Sequence, residues 1–222
     1  MSTDNKLNCD NYSSGGYSLE ACKRDFIEDL REVGKRREGM DNLIKYLQKK
    51  TCFLDVPAYE SGQENREGGH IRHSLNVMSR MIRDFSADKV ELGQTPEVQK
   101  DLLDSIMIIS HLYGIWKADY YQRVTEKKVG SDGKEIEVTY YRPKPPEERL
   151  CFGRDNDHGD QAVYMIQSYI NITRDEALAI RSQDWDPHSV EGSRVLFKTP
   201  LAVYFHSAMV KARYMDDILV MT

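Results

Sequence analysis

No run in this 222-residue sequence approaches the ~20 consecutive apolar residues that cross a bilayer, so no helical membrane span is expected. The opening, "MSTDNKLNCDNYSSGGYS", is polar and lacks the apolar core of a secretory signal. The four cysteines (Cys9, Cys22, Cys52 and Cys151) include no Cys-x-x-Cys pair, which leaves a zinc ribbon unsupported. Scattered cysteines without a secretory signal are expected to be reduced thiols. A basic excess is missing too. Lys and Arg number 31 against 36 Asp and Glu, a net charge of −5, which argues against general nucleic-acid binding while allowing a local basic patch. Together these absences lead us to expect a soluble, cytoplasmic protein with no membrane association.

What is present is an apolar content of 40%, enough for a sizeable core. Residues 1–17, rich in Ser, Asn, Asp and Gly, read as a flexible tail, and 18–222 as a single domain. Ser18 is placed to cap a helix over Leu19 to about Val33, with Phe26, Ile27, Leu30 and Val33 on one face. A second helix is expected over Gly39 to Lys49, carrying Met40, Leu43, Ile44 and Leu47. A long loop follows, punctuated by Pro57 and Gly68-Gly69. In "HIRHSLNVMSRMIRDF" the residues His73, Val77 and Met81 share a helical face. Thr95-Pro96 opens a fourth helix through Leu102, Leu103, Ile106 and Ile109 to about Leu112.

Two runs of β-branched and aromatic residues then flank Ser131-Asp132-Gly133-Lys134, a hairpin signal that places two strands within about 122–142. Pro143, Pro145 and Pro146 end the second strand. Helices resume with "DHGDQAVYMIQSYI", with a capping box at Thr173–Glu176, and with a last apolar helix, "TPLAVYFHSAMVKARYMDDILV". The expected fold class is all-α with one inserted β-hairpin.

Several phrases, in order, resemble the HD-domain phosphohydrolase superfamily, and more narrowly its bacterial and phage members. They are "LIKYLQKKTCFLDVPAYE", "EGGHIRHSLNVM", "WKADYY", "DHGDQAVYMIQSYINITRDEALAIRSQ" and "TPLAVYFHSAMVKARYMD", covering roughly residues 40–217. The resemblance implies an HD-like helical bundle. It also implies imidazoles and carboxylates converging on one or two divalent ions (Mn, Fe, Mg, Zn or Ni), which lower the pKa of bound water.

Carried onto this chain, the resemblance retains His73 as the first ligand and His158, in "DHGD", as another. The His-Asp pair is different. Anchored without a gap on Lys117-Ala118-Asp119-Tyr120-Tyr121, it falls on Tyr113-Gly114. Anchored on His111, it puts Leu112 at the Asp and needs two extra residues. The gap-free alignment is preferred, and on either the Asp is absent. Gln183 and Met209 stand where the resemblance implies a His and an Asp. A neutral thioether does not suit a hard ion. Asp119, Asp157, Asp160 and Asp184 lie near these positions and are the candidates for a rebuilt site, with Asp160 in place of the family's Glu.

The expectation is therefore an HD-like protein that has lost metal-dependent hydrolysis and needs no cofactor. It would work as a module for a nucleotide or phosphate ligand, or for a protein partner. Lys117, Arg72, Arg181, Tyr113, Tyr120 and His158 are the candidate ligand contacts: the cations for phosphate, the tyrosines for pocket walls or base stacking. A structural ion pair is the other reading of Arg181, and hairpin packing that of the tyrosines, Tyr121, Tyr140 and Tyr141 included. The competing expectation is an active phosphohydrolase on nucleotides or small phosphate esters. A third is a scaffold whose contact surfaces are the hairpin and the tail.

Overall fold

The computed structural model describes residues 18–59, 64–88, 96–129, 134–150 and 158–215, without the side chains of 96–99 and 191. The tail over 1–17, Thr95, the turn Ser131-Asp132-Gly133, Asp157 and residues 216–222 lie outside the described residues.

Helices dominate, with one two-stranded antiparallel sheet. The Ser18 hydroxyl accepts from the Ala21 amide at 3.1 Å and starts α1, Leu19–Gly34. Phe26, Leu30 and Val33, spaced four and three residues apart, bury one stripe of it. Helix α2, Met40–Lys50, buries Met40, Leu43, Ile44 and Leu47 by the same logic.

A 3₁₀ turn at Phe53–Asp55 leads toward α3, Gly69–Asp88, and backbone bonds fasten this connection down. The Gly68 amide donates to Asp55 O at 2.8 Å, and the His70 amide to Val56 O at 3.1 Å. Gly68 adopts φ +67°, and a Cβ there would also meet Leu19 Cδ1 at 2.0 Å, so glycine makes this bend without the strain a side chain would bring.

Helix α3 is the central element. His73, Val77 and Met81 are buried on one face, and Ile71, Leu75 and Met78 on others. It packs against α1, α4 (Pro96–Leu112) and α9 (Pro200–Tyr214). A helix buried on most faces is the one a core is built around.

One turn of helix, α5 (Lys117–Tyr120), links α4 to β1 (Tyr121–Val129). Strand β2 (Glu135–Pro143) pairs with β1 from Tyr121 opposite Pro143 to Val129 opposite Glu135. The hairpin is one residue longer at its root than the sequence suggests. The Lys144 amide donates to Tyr120 O at 2.8 Å and closes the root, and Tyr121 is buried there.

After α6 (His158–Gln167) come α7 (Arg174–Arg181), with its capping box at Thr173 and Glu176, and α8 (Val190–Lys198). The sequence reading did not anticipate α5 or α8. The first is a single turn. In the second, Val195 and Leu196 are only half-buried and Phe197 is exposed, so its apolar pattern does not follow a buried face. No helix among the described residues is long and apolar enough to cross a membrane.

Candidate functional site

Ala58 and Tyr59, Tyr113 just after α4, the α5 turn and the root of β1, Arg149, the start of α6, the 3₁₀ turn after α7 and the last turns of α9 surround a cavity of about 460 Å³. That volume is in the range of small-ligand pockets. Four features of the sequence come together in it.

Tyr113, at the end of α4, forms part of its wall. Its ring meets His70 at 5.4 Å, His73 at 6.4 Å and Phe205 at 5.3 Å between centroids. Burial holds its phenol well above the usual tyrosine range, so the ring stays neutral.

Met209 from α9 and Gln183 from the 3₁₀ turn after α7 line the same cavity. The Gln183 amide nitrogen donates to Tyr113 O at 3.1 Å and to Ile180 O at 3.2 Å. It fastens the wall rather than facing a cation.

Lys117 is 7% exposed. Its ammonium donates to Ala58 O at 3.0 Å and sits 4.5 Å from the centre of the Trp116 ring. It is thus not a solvated lysine at a helix end. The hydrophobic stem and aromatic neighbours bury it while the charge keeps a carbonyl partner.

His158 opens α6 and stacks on Trp116, with centroids 3.7 Å apart and planes 11° from parallel. Its Nδ1 lies 3.3 Å from Asp184 Oδ2. Tyr120 lines the cavity as well.

Other predicted residues sit elsewhere. His73 is 1% exposed and does not line the cavity, because Tyr59 and Tyr113 cover it. Its Nε2 is 2.9 Å from the Tyr59 hydroxyl. Burial first, then the charges of Lys117, Arg213 and Arg80, hold its pKa down to about 3. Arg72 and Arg181 are not among the lining residues. Arg181 pairs with Asp160, the structural ion pair that was its other reading. His111 is buried on the α1 side of α4, with Nε2 3.1 Å from Asp29 Oδ2, Nδ1 3.0 Å from the Ser110 hydroxyl, and its ring against Phe26. It faces α1, not the cavity, and Tyr113 is the residue that reaches the cavity.

Gly114 is packed rather than vacant. A Cβ on it would come within 2.2 Å of His70 Cε1 and 2.5 Å of Nε2. The imidazole of His70, fully buried, fills the space into which a larger residue at 114 would extend.

Among the described residues, those at the positions where the resemblance implies ligands make a poor set for a divalent ion. Gly114 and Met209 offer no hard ligand, His73 is bonded to Tyr59, and Gln183 is bonded to backbone. Of the carboxylates considered for a rebuilt site, Asp119 holds Lys144 and the Leu150 amide, and Asp160 holds Arg181. Asp184 is engaged with His158. Among the described residues, no three His, Cys, Asp or Glu side chains converge as a metal-holding group.

Sequence reasoning missed two cations of the wall. Arg149 lies with its guanidinium 4.4 Å from the centre of the Tyr120 ring, and Arg213 4.3 Å from that of Tyr59. Arg213 had a readable signal, since it follows Met209 by four residues and shares its face of α9. Arg149 stands in an irregular segment, where no periodicity points to it.

A scan against protein-family models and searches of curated proteins and of solved structures found no match for this chain.

Proposed function

We propose that the chain is an HD-superfamily-like helical protein whose pocket binds a small anionic ligand, a nucleotide or phosphate ester, without metal-dependent hydrolysis. The observation that carries this reading is the make-up of one cavity. Among the described residues, Lys117, Arg149 and Arg213 line it against a single carboxylate, Asp184, and Trp116, Tyr59, Tyr113, Tyr120 and Tyr121 supply aromatic surface. In a chain of net charge −5, such a local cationic excess concentrates anions. Aromatic walls suit a planar ring. The phrase order along the chain supports the HD-like part of the reading, and the packing at Gly114, Gln183 and Met209 supports the loss of hydrolysis.

The test is a thermal-shift and calorimetric screen of the full chain with mononucleotides and simple phosphate esters, beside metal analysis of the purified protein. Raised unfolding temperatures with phosphate ligands, reduced in Lys117→Met, are expected. Failure of every phosphate ligand to stabilise the protein would sink the binding claim. Stoichiometric transition metal released by His158→Ala, together with turnover of a phosphate ester, would establish the competing hydrolase reading.

A further inference from the structure

Cations that converge without matching carboxylates repel one another, and an anion relieves that repulsion. Among the described residues neither Arg149 nor Arg213 is paired with a carboxylate. Asp184, the one carboxylate among the described residues that line the cavity, is turned to His158.

Both guanidiniums lie against aromatic rings. The Arg213 guanidinium carbon is 4.3 Å from the centre of the Tyr59 ring and 5.3 Å from that of Tyr214. Arg149 rests on Tyr120, and its Nε donates to Lys144 O at 2.6 Å, so its terminal amino groups are the donors that remain. A ring against a guanidinium narrows the orientations it samples, which lowers the entropy lost when it grips a ligand. Two planar forks and one buried ammonium suit the oxygens of a phosphate, which arginine holds through paired hydrogen bonds. They come from separate parts of the chain: Arg149 after the hairpin, Arg213 from α9 and Lys117 from α5. The field also reaches inward, since Lys117 and Arg213 both help keep the buried His73 neutral.

We propose that Arg213 and Arg149, acting with Lys117, make this pocket specific for a phosphate monoester dianion or a diphosphate, held by side-chain cations with no metal ion. The inference rests on the pocket-binding reading and adds to it the ligand's charge class and the residues that select it. The positive charge comes from two guanidiniums and an ammonium, so the phosphate, not the base, dominates recognition.

The test is calorimetric titration of adenosine 5′-monophosphate, inorganic pyrophosphate and adenosine into the full chain, with and without EDTA. The two phosphates should bind and adenosine should bind at least roughly tenfold more weakly, with EDTA changing neither. Arg213→Met and Arg149→Met should each weaken the monophosphate by roughly tenfold, the loss of a charge-assisted bond, and Arg213→Lys should recover part of it. Unfolding curves of the variants establish that they are folded. Monophosphate affinity unchanged in both methionine variants, equal affinity for adenosine, or binding that needs added Mn²⁺ would each overturn the inference while leaving a ligand pocket in place. No binding of any probe to the wild-type chain would overturn the pocket reading and the inference together.

Discussion

Gly114 and His70 occupy one volume. The imidazole stands where any side chain at 114 would begin, with Phe53 edge-on at 5.0 Å and Tyr113 at 5.4 Å closing it in. Gly114→Ala should therefore destabilise the fold by about 1–3 kcal/mol, the usual effect of overpacking a filled core. Gly114→Asp should be worse, because it adds a buried carboxylate beside an imidazole that burial keeps neutral. Neither change should confer metal binding, since Met209 and Gln183 remain. Urea denaturation of the single variants and of Gly114→Ala combined with His70→Ala checks the point. The double variant should lose less than the sum of the two singles, because the steric conflict disappears with the ring. Additive losses would mean that the two positions do not compete for space.

Among the elements, α7 shows how a local signal is tied into the whole. Thr173 caps the helix by accepting from the Glu176 amide at 3.2 Å, and Glu176 accepts from the Thr173 amide at 2.6 Å. The same carboxylate, fully buried, accepts from the Ser105 hydroxyl at 2.6 Å and from Arg37 at 2.8 Å, which joins α7 to α4 and to the segment after α1. Thr173→Ala should cost about 1 kcal/mol, an ordinary cap loss. Glu176→Ala should cost about 3–5 kcal/mol, because it also strands the partly buried Arg37. Denaturation curves that show equal losses would reduce Glu176 to a cap.

The capping box was legible in the sequence because its two residues are three apart. The rest of the network was not, since Ser105 and Arg37 lie 71 and 139 residues from Glu176. The site divides in the same way. Helical periodicity and phrase order pointed to Lys117, Tyr113, Tyr120, His158, Gln183 and Met209, all of which line one cavity. They could not show that Tyr59 seals His73 from it, or that Arg149 enters it, because a loop's path is decided by distant contacts such as that of Lys117 with Ala58 O.

At the scale of the whole molecule, the buried histidines set a pH dependence. His70 and His73 are 0% and 1% exposed, and burial lowers both pKa values, that of His73 to about 3. In the unfolded chain each titrates near ~6.5. Below that pH the unfolded state takes up protons that the folded state refuses, so stability falls as pH falls. The stabilisation is whole above the unfolded value and is lost on acidification, continuing for His73 toward about pH 3. The slope approaches ~1.4 kcal/mol per pH unit for each histidine, so the pair should remove on the order of 2–4 kcal/mol between pH 6.5 and 5. His206, with its pKa also lowered by burial, acts in the same direction. Carboxylates titrate near ~4 when unfolded and contribute mainly below this window. Urea denaturation at pH 7.5, 6.5, 5.5 and 5.0 should show the decline, and His73→Gln, which cannot titrate, should flatten it by about half. A wild-type profile level from pH 6.5 to 5 would mean that protons reach these imidazoles in the folded state, and that the seal made by Tyr59 and Tyr113 is open in solution.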